Sequence, residues 1–130
     1  MKMIVLAEDD ADDQDMVREI VGVVDSGVKL KIFSDGETLL ASMKQLPHGY
    51  LPNLIVLDQN MPKLKGSETI SHLKKIAGFE NVPAVIYTTY HDNKFAETCR
   101  NMNVELFQKP DTFEELSEMI RRLIDRYVSG

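Results

Sequence analysis

The chain is predicted to be an α/β protein built on a doubly wound, five-stranded parallel sheet with five helices, and three observations carry that prediction. Short β-rich apolar runs recur at residues 3–7, 29–33, 54–57, 84–87 and 104–107, each followed by a stretch with helical spacing. One run, Leu54-Ile55-Val56-Leu57, is apolar at every position, which implies burial on both faces and hence a central parallel strand. Strict alternation of strand and helix then places helices on both sides of one sheet.

Taken in order, the first run, Met3-Ile4-Val5-Leu6-Ala7, leads into a helix whose face is Met16, Val17, Ile20, Val21 and Val24. After the second run, Leu39, Leu40, Met43 and Leu46 share a face, with Ser34 to Glu37 offering a capping box. The loop 47–52 precedes the third run. Ile70, Leu73 and Ile76 mark a shorter third helix, and Phe95, Ala96, Cys99 and Met102 a fourth. The last helix is the clearest: Phe113, Leu116, Ile120, Leu123 and Tyr127 fall three or four residues apart behind the capping box Thr112-Phe113-Glu114-Glu115. No repeat, low-complexity tract or long linker interrupts the pattern, so residues 1–130 read as a single domain. A chain of this size buries about two-thirds of the surface that its unfolded form exposes.

Composition excludes several functions. With 15 basic and 21 acidic residues the formal charge is −6, and no Lys/Arg cluster interleaves with aromatics, which argues against direct nucleic-acid binding. The opening apolar run of five residues is too short for a signal peptide or a membrane span, which points to the cytoplasm and against membrane insertion. The lone Cys99 has no cysteine partner and reads as helix packing. His48, His72 and His91 lack metal-ligand spacing and read as solvated or packing residues.

Chemistry concentrates beyond the carboxyl ends of the strands, where ligands of open parallel sheets bind. Six carboxylates crowd the eight positions from Glu8 to Asp15; Asp58, Gln59 and Asn60 follow the third run, Thr88 and Thr89 the fourth, and Gln108, Lys109 and Pro110 the fifth. Close carboxylates repel unless a cation joins them, and an oxygen set of this kind suits Mg2+ shared with a phosphate. A carboxylate can also act as nucleophile and form an aspartyl phosphate, a reaction that needs alignment and neutralisation of the phosphoryl oxygens. A hydroxyl and an ammonium would supply part of that neutralisation. Asp12, Asp13 and Asp15 read instead as a solvated helix start favoured by the helix dipole, while Asp10 stands open between the two roles.

Together, Ile4-Val5-Leu6-Ala7-Glu8-Asp9-Asp10, Leu54-Ile55-Val56-Leu57-Asp58-Gln59-Asn60-Met61-Pro62, Gly66, Val85-Ile86-Tyr87-Thr88-Thr89 and Lys109-Pro110 resemble the response-regulator receiver family in order and spacing, over essentially the whole chain. The likeness is to the stand-alone, chemotaxis-regulator type. It implies a flavodoxin-like sheet of order 2-1-3-4-5, Asp58 as phosphoacceptor, and Mg2+ bound directly by Asp9 and Asp58, by the backbone carbonyl of Asn60 and through water by Glu8. It further implies that Thr88 and Lys109 bind the phosphoryl group and that the bond before Pro110 is cis. The implied partners are a sensor histidine kinase or histidine phosphotransfer protein and a downstream protein target. The implied output is altered binding rather than catalytic turnover.

Two positions bear on how such a switch would run. The family often has an aromatic three residues before the lysine, whereas this chain has Leu106 there and Phe107 next; Tyr90 stands where the family tunes water access to the phosphoryl group. The alternative reading is a Mg2+-dependent phosphohydrolase with an aspartyl-phosphate intermediate. Such enzymes of the haloacid-dehalogenase type carry an acid/base Asp two residues after the nucleophile, where this chain has Asn60. An EF-hand is excluded, because neither Asp9 nor Asp10 as first ligand places Gly sixth and Glu twelfth.

Overall fold

The strand β1 (Met3–Ala7) is buried at every position, as is β3 (Leu54–Asp58), and these two pair in the middle of the sheet. The computed structural model describes residues 2–47, 49–89 and 92–129. Along it follow α1 (Ala11–Val24), β2 (Lys29–Phe33), α2 (Gly36–Lys44), β3, α3 (Gly66–Leu73), a 3-10 turn (Phe79–Asn81), β4 (Ala84–Thr88), α4 (Asn93–Asn101), β5 (Glu105–Gln108) and α5 (Phe113–Tyr127). All ladders are parallel and the strand order is β2-β1-β3-β4-β5. The predicted class and order hold, and the switch point lies between β1 and β3, which run side by side although α1, β2 and α2 separate them in the chain.

The period of two along each strand divides the core into two layers. Val5, Ala7, Ile55, Leu57 and Ile86 face α2, α3 and α4, where they meet Leu39, Met43, Ile70, Leu73 and Cys99. Ile4, Leu6, Val56, Val85 and Tyr87 face α1 and α5, where they meet Val17, Ile20, Leu116, Ile120 and Leu123. Each fully buried aliphatic side chain contributes about 1.5–3 kcal/mol. The edge strands β2 and β5 are only partly buried, as their mixed composition requires.

Helix starts are set by short polar side chains. Asp10 caps α1 by accepting from Asp13 N at 3.0 Å, Asp92 caps α4 through Phe95 N at 2.8 Å, and Thr112 caps α5 through Glu115 N at 3.1 Å. The expected cap at Ser34 is corrected: Asp35 accepts from Thr38 N at 2.7 Å, and its carboxylate is the stronger acceptor. The fifth strand starts one residue later than its apolar run suggests, because Val104 N closes the end of α4 on Cys99 O at 2.9 Å. No cis peptide bond occurs among the described residues, so the expected cis bond before Pro110 is replaced by the trans form, which X–Pro bonds favour by about 0.5–1 kcal/mol.

Candidate functional site

Three strand ends converge at the switch point. Glu8 follows β1 and is fully buried, Asp9 beside it is exposed, and Asp58 ends β3 with 6% of its surface exposed. Carboxylate oxygens of the three lie within 4.8 Å of one another. Thr88, fully buried, closes β4, and its Oγ1 lies 3.5 Å from Asn60 Nδ2. The backbone N–H of Asn60 donates to Asp58 Oδ1 at 3.2 Å, which orients the carboxylate from its own turn.

Gly66 explains why that turn is tight. A Cβ at this position would stand 2.6 Å from the carbonyl oxygen of Asp58, while its own N–H donates to Gln59 O at 3.1 Å. Only glycine lets the start of α3 lie against the backbone that carries Asp58. Gln59, placed on the same rim by the sequence, turns away: its amide accepts from Ser67 N at 2.9 Å and donates to Ser67 Oγ at 3.1 Å, fastening the turn to α3.

Lys109 reaches in from the end of β5, its backbone N–H bonded to Thr88 O at 2.8 Å. Its ammonium lies 2.9 Å from Glu8 Oε1, 2.7 Å from Asp13 Oδ2 and 3.6 Å from Asp58 Oδ2. Asp13 thus joins the site rather than serving only as a solvated helix start; Asp12 and Asp15 remain exposed as expected. The signal for Asp13 was available in principle, since one turn into α1 a side chain returns to the end of the helix that faces the sheet. Asp10, open in the sequence, is the cap of α1.

Tyr87 was not singled out by the sequence. Its ring packs in the α1/α5 layer, its hydroxyl donates to Glu8 Oε1 at 2.6 Å, and the Lys109 ammonium lies 5.1 Å from its ring centroid. Glu8 Oε2 accepts from Asp10 N at 3.0 Å. A buried carboxylate is costly unless hydrogen-bonded and paired, and Glu8 has both compensations.

The charges act on one another. Burial, then the neighbouring Glu8 charge, raise Asp58 to a pKa of about 6, against the opposing pull of Lys109 and the Asn60 N–H. Burial pulls Lys109 down, but bonds to Asp13 and Glu8 and the charges of Glu8 and Asp58 outweigh it and hold the ammonium above the usual lysine range. Burial and Glu8 keep the Tyr87 phenol protonated, well above its ordinary value. The donor set, three carboxylates drawn together with one of them raised by burial and by its neighbours' charge, is chemically suited to a divalent cation.

Leu106 packs in the layer with α4, whereas the Phe107 ring packs in the opposite layer with α5, so β5 itself turns an aliphatic rather than an aromatic side chain toward α4. His72 is exposed on α3 and Cys99 is buried in the core, as expected. Tyr90, His48 and His91 lie outside the described residues. No described helix is long and apolar enough to cross a membrane.

Fold and site together define a doubly wound α/β protein with a cation-competent acidic cluster at its topological switch point, faced by a hydroxyl and an ammonium. The chain belongs to the response regulator receiver domain family, whose model matches residues 4–121, and is therefore a receiver of two-component signalling. It is 28% identical over 124 residues to response regulator Rcp1 of Synechocystis, covering 92% of this chain and 84% of that protein. Its fold is similar to the crystal structure of the Mn(2+)-bound form of Rcp1, with TM-score 0.86, 26% identity and coverage of 100% and 97% of the two chains. It is also similar to the phosphorylated cyanobacterial phytochrome response regulator RcpA, with TM-score 0.88, 22% identity and coverage of 98% and 94%.

Proposed function

We propose that this receiver takes a phosphoryl group onto Asp58 from a phosphohistidine on a sensor histidine kinase or a histidine phosphotransfer protein. The carrying observation is the convergence of Glu8, Asp9 and Asp58 within 4.8 Å while Lys109 stands 3.6 Å from Asp58 Oδ2. An Asp58 oxygen attacks phosphorus, the P–N bond breaks, and the imidazole leaves with the electron pair. The turn from Asp58 to Asn60, held by the Asn60 N–H and roofed by α3 at Gly66, aligns the nucleophile. The Thr88 hydroxyl and the Lys109 ammonium serve as the protein's own partners for the phosphoryl oxygens.

Asp9, Asp58 and the Asn60 carbonyl would hold Mg2+ directly, with Glu8 acting through water. When bound, the ion would supply neutralisation of phosphoryl charge that the Lys109 ammonium does not complete. That structural relatives were solved phosphorylated and with Mn2+ supports this assignment. The output is a change in protein contacts with a downstream target, in the cytoplasm, by a single receiver domain spanning 1–130.

The test is intact mass after incubation with Mg2+ and acetyl phosphate. A phosphoryl adduct is expected on the wild type and not on Asp58→Asn; no adduct, or an equal one in the variant, overturns the assignment. Rapid turnover of a small phosphate ester would favour the phosphohydrolase.

A further inference from the structure

Asp13 is unlike the other acids of α1. Asp15 pairs with Arg18 at 2.7 Å on the surface and Asp12 is exposed, whereas Asp13 is half-buried with its Oδ2 on the Lys109 ammonium. The 2.7 Å contact is the shortest that the ammonium makes, ahead of 2.9 Å to Glu8 and well ahead of 3.6 Å to Asp58. An ammonium has three donors, and a separation of 3.6 Å is beyond hydrogen-bonding range. Two of the donors are therefore committed to Asp13 on α1 and to Glu8 after β1, and none bonds the nucleophile.

We propose that Asp13 is a positioning residue that draws Lys109 toward α1 and away from Asp58 before phosphoryl transfer, and gives the ammonium up when a phosphoryl group arrives. The inference rests on the reading of Asp58 as phosphoacceptor. Its physical content is a competition. Glu8 is fixed from two other sides by Tyr87 and by Asp10 N, so it stays with the lysine or leaves it without moving. Among the described residues the Asp13 carboxylate has no such second anchorage, and it sits on the first turn of a helix, at the mouth of the site. The ammonium has a third donor, but to bring it within bonding range of a phosphoryl oxygen on Asp58 it must shift from its present seat against Asp13, so the Asp13 pair opposes the phosphorylated arrangement by its own strength. It also keeps Asp58 free of a direct hydrogen bond that would blunt the nucleophile.

The experiment titrates the full chain, with Mg2+ present, with beryllofluoride, a non-covalent phosphoryl mimic whose bound form is read by 19F NMR. Wild type, Asp13→Asn and Asp12→Asn are compared. The Asp10 cap survives in Asp13→Asn because it uses the backbone N–H. We expect Asp13→Asn to bind beryllofluoride about threefold to fivefold more tightly, the range of one partly exposed ion pair. Asp12→Asn, which removes the same charge from the same turn without pairing with Lys109, should stay within about 1.5-fold of wild type. A merely structural loss at Asp13 would weaken binding, and urea midpoints report it separately. Unchanged or weaker binding in Asp13→Asn, or equal tightening in Asp12→Asn, overturns the proposal while a bound wild-type signal leaves the phosphoacceptor reading standing. No bound signal in the wild type overturns both.

Discussion

Replacing Asp58 by Asn should stabilise the folded protein at neutral pH. The side chain is buried against Glu8 and Asp9, and its pKa rises from the ordinary 3.8 to about 6. Each decade of pH is worth about 1.4 kcal/mol, so holding this carboxylate ionised in the folded state costs about 3 kcal/mol at most. Screening by solvent at this partly accessible site brings the expected gain to about 1–2 kcal/mol, or roughly 3–6 °C in Tm. The sign of the pH dependence follows from proton counting. Between about pH 4 and 6 the folded wild type binds a proton that the unfolded chain does not, so wild-type stability falls as pH rises through this window. The variant lacks that contribution. Urea unfolding with EDTA at pH 7.5 and 4.5 measures both, and the advantage of Asp58→Asn should shrink to about a third at the lower pH. Mg2+ should narrow the gap at pH 7.5 from the other side, by binding the wild type. A variant no more stable than wild type at pH 7.5, or a difference that does not change with pH, refutes the burial and electrostatic crowding of the Asp58 carboxylate on which the site's cation preference rests.

Other perturbations separate the supports of the site. Tyr87→Phe keeps the ring in the core but removes the 2.6 Å bond to buried Glu8, and urea unfolding should show a loss of about 1.5–3 kcal/mol. Gly66→Ala forces a methyl against the Asp58 carbonyl, so a loss of about 1–3 kcal/mol is expected together with slower acetyl-phosphate labelling; labelling at the wild-type rate would show that the turn is not positioned by this contact. Asp10→Ala removes a helix cap and no metal ligand, and should cost about 1 kcal/mol in unfolding while Mn2+ affinity, followed by water-proton relaxation, stays near wild type.

The parts of this molecule that were legible in the sequence share one property: their signal is local or periodic. The all-apolar Leu54–Leu57 run could be assigned to a central strand because nothing polar interrupts it, and Asp58, Glu8 and Asp9 could be placed together because they stand within two residues of the end of such a run. The sheet order came with the family's motifs rather than from periodicity. Asp13 and Tyr87 were missed for opposite reasons. Asp13 stands among six acids whose individual directions depend on the phase of a helix, and Tyr87 sits in an apolar strand where an aromatic reads as core. The cap of α2 slipped from Ser34 to Asp35 because both residues can cap, and the choice depends on where Gly36 lets the helix begin beside Thr69. The trans bond at Pro110 departs from the family's expectation, and no local pattern would have revealed it.

Glu8 takes the phenol and the ammonium on one oxygen and a backbone N–H on the other. A carboxylate shorter by one methylene could not span that reach from the same backbone position. The identities of residues 8 and 87, which lie 79 apart in the chain, are thereby linked. Among related receivers, a change of the first acid to aspartate should travel with loss of the strand-end tyrosine, leaving a paired record of this one contact in the variation of the family.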